Sequence, residues 1–503
     1  MYHIEQEIVD RENIISNLIH YVETKESNQE LHIVEEKIFA QLQALGLVLV
    51  KQVVSRRENE LNNKLAKDAS KPPWHPRHGT KPKQYVSIFG PLTIERSYFW
   101  EQGKKGICPL DSELNLPANN CSYLLQKWIQ SGVAENPYEQ TTQSLGDLLN
   151  INLPASTQQI VARSASEDFS DYYKQKNVQE NSEGEILIAT ADCKGVAMVP
   201  SERPSDSKSE PGKIRRGKGD KKKGLRKDAT VVSDYSINPE TRRADEVIDG
   251  LMSVNGEKAL NEYSNKKKRT KIKNRQPINK HVSACMKGKA LAIKDLADRL
   301  QQRNPTSDKK ILVLIDGERS LRNRIAEEFA KRGWNPRVVG YCLDIIHALE
   351  YLWDASTALY GEKSSKRIVW VHRKTLDLLD GHIGRVINGL KQAINKNFGS
   401  IKKNQKQALE SVIKYFENHK DMMNYDKYLR QGLPIATGII EGACSSLVKD
   451  RTDRSGMKWT KSGVQAVLNL RALKRNGDWE NYWKYHIDLE RARLYAISYS
   501  LVA

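Results

Sequence analysis

Three acidic residues stand at positions where they could support metal-assisted chemistry. Asp192 follows the apolar run of "EILIATADCKGV", and Asp316 follows the run Ile311 to Ile315 in "KKILVLIDGERS". Glu441 lies at the border of an apolar helical stripe in "IIEGACSSLVKDR". Carboxylates are hard oxygen ligands for Mg²⁺, and divalent cations can activate a nucleophile and stabilise the leaving oxygen of a phosphodiester. If these three acids meet, they predict phosphodiester hydrolysis or transfer.

The segments before the two aspartates predict strands of an α/β sheet. Short continuous apolar runs between breakers are typical of strands buried on both faces. In open α/β sheets the functional crevice lies beyond the carboxyl ends of such strands, and "SLRNRIAEEFAKRG" after Asp316 predicts the next helix. The alternative is that Asp192 and Asp316 are turn formers or helix N-caps, which are common after strands.

The rest of the chain predicts the elements that must position these acids. "YVSIFGPLTIERSYFW" predicts two strands around a Gly-Pro turn. "YEQTTQSLGDLLNINLPASTQQIVARSASEDF" predicts a helix-turn-helix whose second helix is capped near Ser156 or Thr157, although any two short amphipathic helices share this pattern. The predicted domains are an N-terminal helical region (1–70), a β-hairpin region (71–120), a helical DNA-binding region (121–180), a first part of the core (181–349) with a basic loop (200–228), a helical insertion (350–430), and a second part of the core with C-terminal helices (431–503).

The charge balance predicts a polyanionic partner. The chain has 81 Lys and Arg against 62 Asp and Glu, a net charge of +19, and a second basic run follows at 265–281. Each phosphate that a basic side chain neutralises releases condensed counterions, so such an excess favours nucleic acid. The alternative is that the excess serves solubility and that the basic loops are simply solvated.

Cysteine usage and hydropathy indicate the compartment. Six cysteines are scattered without a CxxC pair, which argues against a zinc ribbon and against a secreted disulfide scaffold. No stretch is expected to approach the roughly 20 apolar residues of a spanning helix. The N-terminal "MYHIEQEIVDRENI" is too acidic for a signal peptide. We therefore expect an intracellular, reducing location and no membrane association.

Four segments together carry a family resemblance. They are "EILIATADCKGVAM", "ILVLIDGERSL", "YCLDIIHALEYLWDA" and "MMNYDKYLRQGLPIATGIIEGACSSLVKDRTDRSGMKWT". They resemble the ISKra-type insertion-sequence transposases, which belong to the DDE group and have a ribonuclease-H-like catalytic core. The resemblance runs from the Gly-Pro hairpin and "CPLDSELNLP" through "LNLRALKRNGDWENYW".

This resemblance implies an α/β fold with a ribonuclease-H-like core interrupted by a helical insertion, and it assigns roles to the acids. Asp192 would be the first acid of the DDE triad, Asp316 the second and Glu441 the last. The three would hold Mg²⁺, with Mn²⁺ as a substitute. Cys193 stands where the family usually has Gly, and its side chain either crowds the metal or points away.

The resemblance also implies supporting residues around the triad. Asp344 and His347 in "LDIIHALEYLW" match an acid-x-x-His signature of related transposases, and residues at i and i+3 share a helix face. We expect His347 to contact DNA or a flipped base rather than a metal, the alternative being a packed core histidine. Lys449, Arg451 and Arg454 would grip phosphates, the alternative being a solvated helix face.

The function expected from this resemblance is that of a DNA transposase. It would bind terminal inverted repeats, cleave DNA with metal-activated water and join the freed 3′-OH to target DNA. Its partners would be double-stranded DNA at the element ends and at the target, and it would act as a homodimer or higher oligomer in the bacterial cytoplasm, associated with the nucleoid. The alternatives are a transposase-derived DNA-binding protein without catalysis, and a metal-dependent nuclease or RNA-processing enzyme on the same core.

Overall fold

The computed structural model describes residues 2–67, 79–100, 106–176, 182–202, 225–248, 250–252, 277–396 and 401–502. Two compact units share the chain, one formed by Met1–Tyr172 with Gly477–Ala503 and the other by Tyr173–Asn476. The C-terminal helix therefore belongs to the unit that begins the chain. Most of the basic loop predicted at 200–228, and most of the basic run at 265–281, lie outside the described residues.

The first unit begins with two long helices and a β-hairpin. Their bounds are α1 Tyr2–Glu23, α2 Leu31–Lys67, β1 Thr80–Ser87 and β2 Gly90–Ser97. The hairpin predicted around Gly-Pro is confirmed, because β1 and β2 pair antiparallel with Ser87 opposite Gly90. Gly90 has φ +123°, a value that side-chain-bearing residues rarely adopt, and it opens β2 after the turn residues Ile88 and Phe89.

Helix α2 is apolar as well as long. Within Leu31–Leu65, an 18-residue window reaches a mean hydropathy of 1.5, so length and composition alone would let this helix cross a membrane. The prediction that no stretch comes near this limit is wrong for α2. A single helix of this kind is weak evidence for a membrane, because core helices and signal sequences pass the same test.

Short helices complete the first unit. They are α3 Pro109–Glu113, α4 Tyr123–Glu135, α5 Tyr138–Leu149 and α6 Ala155–Ala165, with α7 Phe169–Gln175 crossing into the second unit. The predicted pair of helices is present as α5 and α6, and Asn150 ends α5 in the left-handed conformation. The cap predicted at Ser156 or Thr157 is wrong: α6 starts one residue after Pro154, which makes no side-chain cap. The buried Gln158 amide joins the two helices by donating to Tyr138 O at 3.2 Å and Leu153 O at 3.1 Å.

The second unit is a mixed α/β structure around a five-stranded sheet. The strands are β3 Ile186–Ala197, β4 Arg226–Ile237, β5 Ile278–Cys285, β6 Lys310–Ile315 and β7 Val338–Leu343, and their order is β5-β4-β3-β6-β7. Strands β3, β4 and β5 pair antiparallel, whereas β6 and β7 run parallel to β3. Both predicted strands are confirmed, and the run Ile311 to Ile315 is fully buried.

The second unit also contains a series of helices. They are α8 Lys289–Arg303, α9 Arg319–Lys331, α10 Ile345–Tyr360, α11 Lys366–Leu379, α12 Ile383–Lys396, α13 Lys403–His419 and α14 Tyr425–Arg430. Helices α10 to α14 occupy the stretch in which the resemblance implies a helical insertion, and their apolar faces join the core of the sheet. The unit ends with α15 Gly438–Ala443, a π-helix Cys444–Lys449, the single turn α16 Asp450–Thr452 and α17 Lys461–Arg475; the final helix of the chain, α18 Trp479–Val502, belongs to the first unit.

Candidate metal centre

Each of three neighbouring strands carries an aspartate at the same level of the sheet, within the strand or directly after it. The parallel pairing of β3 with β6 ends at Ala191 and Ile315, so Asp192 and Asp316 are the next residues on adjacent strands. Strand β7 ends at the same level beside β6, and Asp344 follows it. Asp192 differs from the other two because β3 continues to pair with β4 beyond it. The carboxyl edge of the parallel strands therefore carries three acids, at the position where α/β sheets place their functional crevice.

Asp344 is held in place by the start of α10 and by the segment before α15. Its Oδ1 accepts a hydrogen bond from Ile346 N at 2.8 Å, so Asp344 is the N-cap of α10. Its Oδ2 accepts from Thr437 N at 2.8 Å and from the Thr437 hydroxyl. Asp344 is 0% exposed, and this burial raises the pKa of its carboxyl. The Asp344 side chain therefore caps a helix and also lies at the edge of the sheet where the other two aspartates stand.

A possible metal site forms where α10 and α15 meet this sheet edge. Asp344, His347 and Glu441 each offer one ligand atom, and these atoms lie within 4.8 Å of one another. Asp344 is buried, His347 is half-buried and Glu441 is exposed. The three side chains could hold a metal ion, so the structure places His347 among possible metal ligands, where the sequence predicts contact with DNA or a flipped base instead. One imidazole with two carboxylates is a mixed donor set that suits several divalent metals, so the set does not identify the ion.

The acids of this cluster lie close enough to shift the pKa values of Glu441 and His347. Partial desolvation raises the pKa of Glu441, and the charges of Asp344, Glu350 and Asp192 raise it further. Burial lowers the pKa of His347, but the charges of Asp344, Glu350 and Asp316 outweigh it, so the pKa of His347 is raised. Neighbouring negative charge contributes to both shifts, in addition to desolvation at Glu441, and such a concentration of acids favours a bound cation.

Cysteines flank Asp192 on both sides. Asp192 Oδ1 accepts from Cys193 N at 2.5 Å, and Oδ2 accepts from the Cys444 thiol at 3.1 Å. The Cys193 side chain lies 3.8 Å from Thr230 Oγ1, on the face of β3 opposite to Asp192, because neighbouring strand residues alternate. Burial raises the pKa of Cys193 to about 11. The sequence left open whether the Cys193 side chain crowds the metal or points away from it. In the structure it points away from the face that carries the Asp192 side chain.

The backbone around Asp316 is tightly packed. Asp316 Oδ1 accepts from Glu318 N at 2.9 Å, and the Asp316 carbonyl accepts from the Tyr415 hydroxyl at 3.1 Å. Gly317 has φ +96°, and a Cβ there would lie 2.7 Å from the Tyr415 hydroxyl, so no larger residue fits without rearrangement. Helix α13, which carries Tyr415, therefore fixes the turn that presents Asp316.

The helix that carries Glu441 changes to π geometry at Cys444. Such π segments are rare and often occur at functional sites. Arg471 of α17, 1% exposed, donates from Nε to Leu447 O at 2.9 Å and from Nη2 to Ser446 O, two carbonyls of the π-helix. The predicted apolar stripe is confirmed as buried: Ile440, Ala443, Cys444, Leu447 and Val448.

The three predicted phosphate-binding cations differ in accessibility. Lys449 and Arg454 are exposed, and Arg454 Nε donates to Asp450 O at 2.5 Å. Arg451 is 0% exposed, and its guanidinium lies 4.8 Å from the Trp459 ring centre in a cation–π contact. The prediction that Arg451 grips phosphates is therefore wrong for this conformation, because its charge is used inside the fold.

Some residues of the site had not been recognised from the sequence. Cys444 follows Glu441 at i+3, a spacing that places both on one helix face and could have identified it. Thr437 and Tyr415 contact the aspartates only through tertiary packing, and no local pattern indicates them.

Comparison with known proteins adds no assignment. No protein-family model matches this sequence, and no curated protein matches it significantly.

Proposed function

We propose that this chain is a DNA transposase of the DDE type and that its second unit is a ribonuclease-H-like core. The observation that carries the proposal is that Asp192 and Asp316 lie side by side on adjacent parallel strands. Glu441 is close enough for the charge of Asp192 to raise its pKa. An antiparallel meander continued by two parallel strands is the arrangement expected of such a core. The family resemblance supports the same assignment.

The proposed chemistry needs divalent cations, Mg²⁺ with Mn²⁺ as a substitute. Asp192, Asp316 and Glu441 would be the main ligands, and Asp344 with His347 would complete the set on the side of Glu441. Bound metal would supply an activated water or 3′-OH and would stabilise the leaving oxygen. Crowded carboxylates fit this role, because their mutual repulsion is relieved when a cation binds.

Several residues of the chain would assist without binding metal. Glu350 Oε2 lies 3.1 Å from His347 Nδ1, and a carboxylate at that nitrogen would orient the ring and raise its basicity toward a metal at Nε2. The thiol of Cys444 and the amide of Cys193 would hold one orientation of the Asp192 carboxylate. Arg471 would keep the π-helix, and with it Glu441, in place.

The proposed substrate is double-stranded DNA, at the element ends and at the target. The net charge of +19 supports a polyanionic partner, and Lys449 and Arg454 are exposed beyond Glu441 to meet phosphates. In the first unit, α5 and α6 form a helix pair in which α6 would provide base contacts. Bringing two element ends together would require a dimer or a higher oligomer.

Cleavage of the element's own ends tests this proposal. Purified protein is incubated with labelled duplex carrying the element boundary, with Mg²⁺ or Mn²⁺. Asp316→Ala should abolish cutting, whereas Glu327→Ala, which removes an exposed carboxylate from α9, should cut like the parent protein. Binding to the ends without cutting under either metal would favour a DNA-binding protein without catalysis. Cutting that ignores the element ends would favour a nuclease on the same core.

A further inference from the structure

The two long helices that open the first unit expose a row of large apolar side chains. On α1 they are Ile15, Ile19 and Val22, and on α2 they are Phe39, Leu42, Leu49 and Val53. Each is between 39% and 54% exposed in the part of the chain that the structure describes. Monomeric soluble proteins rarely expose a large contiguous apolar patch, and such a patch marks a contact surface.

These seven side chains lie on one side of the helix pair. Helices α1 and α2 run antiparallel: Ser55 Oγ donates to Glu7 Oε1 at 2.9 Å near one end, and Lys37 Nζ lies 4.8 Å from the Tyr21 ring centre near the other. At about 100° per residue, the exposed row of each helix is turned from these contacts in the same rotational sense. In an antiparallel pair, equal senses point to the same side. We call this side, with its seven residues, the apolar face.

The opposite side of α2 belongs to a protein core. Leu47, Val50 and Val54 pack against buried residues of the hairpin, among them Leu92 and Ile94. Helix α2 is therefore apolar on two sides, which accounts for its high mean hydropathy. For α2 to span a bilayer, lipid would have to displace the hairpin from these residues. A partner that covers the apolar face alone leaves the fold intact.

The apolar residues of α2 are complementary to those of a second α2 that runs the other way. In that arrangement Leu42 lies opposite Leu49 of the second copy. The same register places Phe39 opposite Val53 of the second copy. Spacings of three, four and seven residues are those of helices that pack side by side as a coiled coil.

Charges at the ends of this register favour the same arrangement. Glu35 precedes the apolar residues of α2 and Arg56 follows them, and both are exposed. Antiparallel packing places Glu35 opposite Arg56 of the second copy, whereas parallel packing would bring like charges together. Within its own chain, Arg56 lies 3.7 Å from Glu60, an exposed ion pair that contributes little and can be exchanged.

We propose that the apolar face binds a second copy of this chain in an antiparallel, two-fold symmetric dimer that forms without DNA or metal. Helix α1 has 22 residues, so the helix pair is about 33 Å long and about 20 Å wide, which gives about 660 Å² on each copy. The total of about 1,300 Å² is within the range of stable protein–protein interfaces. The proposed function requires two copies only where two DNA ends are joined, so a dimer without DNA goes beyond it.

Sedimentation equilibrium of the full chain in EDTA, without DNA, tests the proposal. The parent protein should be a dimer. The double variant Leu42→Glu with Leu49→Glu places like charges at the centre of the interface and should weaken the dimer at least about 100-fold. Val9→Glu is the matched control, because Val9 is also an exposed apolar residue of α1 but is turned about a third of a turn away from the apolar face. This control should dimerise like the parent protein.

Charge reversal tests the antiparallel register with variants that keep the apolar face unchanged. Glu35→Arg alone should weaken the dimer several-fold, because it faces Arg56 of the second copy. Glu35→Arg combined with Arg56→Glu should restore the dimer, because opposite charges face each other again. Equal dimerisation of the parent, the single and the combined variant would overturn the antiparallel register.

The remaining outcomes separate this inference from the proposed function. A parent protein that is monomeric without DNA would overturn the dimer, and so would a Leu42→Glu, Leu49→Glu variant that dimerises like the parent. A monomeric parent that floats with phosphatidylcholine–phosphatidylglycerol vesicles, beside a double variant that does not, would assign the apolar face to a lipid surface. In each case, cutting at the element ends would still support the proposed function. A dimer that never cuts DNA would instead leave this inference standing and remove the proposed function.

Discussion

In the second unit, one group of charged side chains is paired within the protein, whereas another consists mainly of acids. The paired group lies around Asp234 of β4, whose carboxylate accepts from Arg303 Nη1 at 2.8 Å and Arg299 Nε at 3.1 Å and faces His281 Nδ1 at 3.2 Å. Glu183 pairs with Arg303 as well, at 3.0 Å from Nε. The second group is the acid cluster: Asp192, Asp316, Asp344 and Glu441, with His347.

The pKa shifts of the two groups run in opposite directions. Burial would raise the pKa of Asp234, but Arg299, His281 and Arg303 together hold it far below its usual range. Burial raises the pKa of Asp344 and, with neighbouring charges, that of Glu441. The paired group is neutralised by arginines of the fold, so it is complete without a ligand. Within the acid cluster His347 is the basic member beside four carboxylates, so the cluster gains most from an ion that comes from outside.

Removing Asp234 should have the largest effect, because it breaks the paired group. Asp234→Ala removes the carboxylate that the buried Arg299 and Arg303 share, which leaves Arg303 with Glu183 alone, and this should cost about 3–5 kcal/mol of unfolding free energy, measured in urea. The loss should shrink below about pH 4, since the low pKa of Asp234 contributes stability above the unfolded pKa and loses it as pH falls. Asp308→Ala, an exposed acid of the same unit, should change little, and equal losses in both variants would contradict the prediction.

Adding a divalent metal should distinguish the acid cluster from the paired group. At a hundredfold excess over Kd, Mn²⁺ should stabilise the parent protein by about 2.7 kcal/mol through binding to the folded state. Glu441→Gln should lose most of this gain, because it removes one ligand and one charge. Glu327→Gln should keep the gain. A melting temperature that rises equally with metal in Glu441→Gln would show that the ion binds elsewhere.

Arg471 should have an effect of intermediate size, because this buried cation donates hydrogen bonds to backbone carbonyls rather than to carboxylates. Arg471→Met leaves Ser446 O and Leu447 O without their charged donor, which should cost about 2 kcal/mol of unfolding free energy. The metal-induced gain should also fall, because the π-helix no longer holds Glu441 in place. Arg475→Met, an exposed change on α17, is the matched control. Lower stability with unchanged metal affinity would reduce Arg471 to a purely structural role.

The sequence predicted those parts of the site that depend on local pattern. The apolar runs before Asp192 and Asp316 read as buried strands because both of their faces are covered, and the structure has them as neighbours. The stripe around Glu441 could be predicted because helical spacing is visible along one segment. The third sheet-edge acid, Asp344, was identified only through the family signature, although it follows a strand like Asp316.

What the sequence could not predict depends on contacts between distant segments. Arg451 stands among exposed cations in the sequence, and only the position of Trp459 shows that its charge is turned inward. The pairing of Asp234 with Arg303 joins a strand to a helix far along the chain. The buried residues of the π-helix, Cys444, Leu447 and Val448, follow the i, i+3, i+4 spacing of an α-helix, so the periodicity of this short segment does not reveal its π geometry.

The smallest expected effect concerns the acid cluster without metal, and it has the opposite sign to that of Asp234. Because the folded pKa of Glu441 is raised, its ionised form destabilises the folded state at neutral pH, and the penalty disappears as pH falls through that pKa. In EDTA, Glu441→Gln should therefore melt slightly above the parent protein near neutral pH, and the difference should close in the acid range. Thermal scans across that range, beside Glu327→Gln, measure it. A Glu441→Gln variant that is less stable than the parent at neutral pH without metal would mean that the acid is already compensated within the fold, and the contrast with the paired group would be lost.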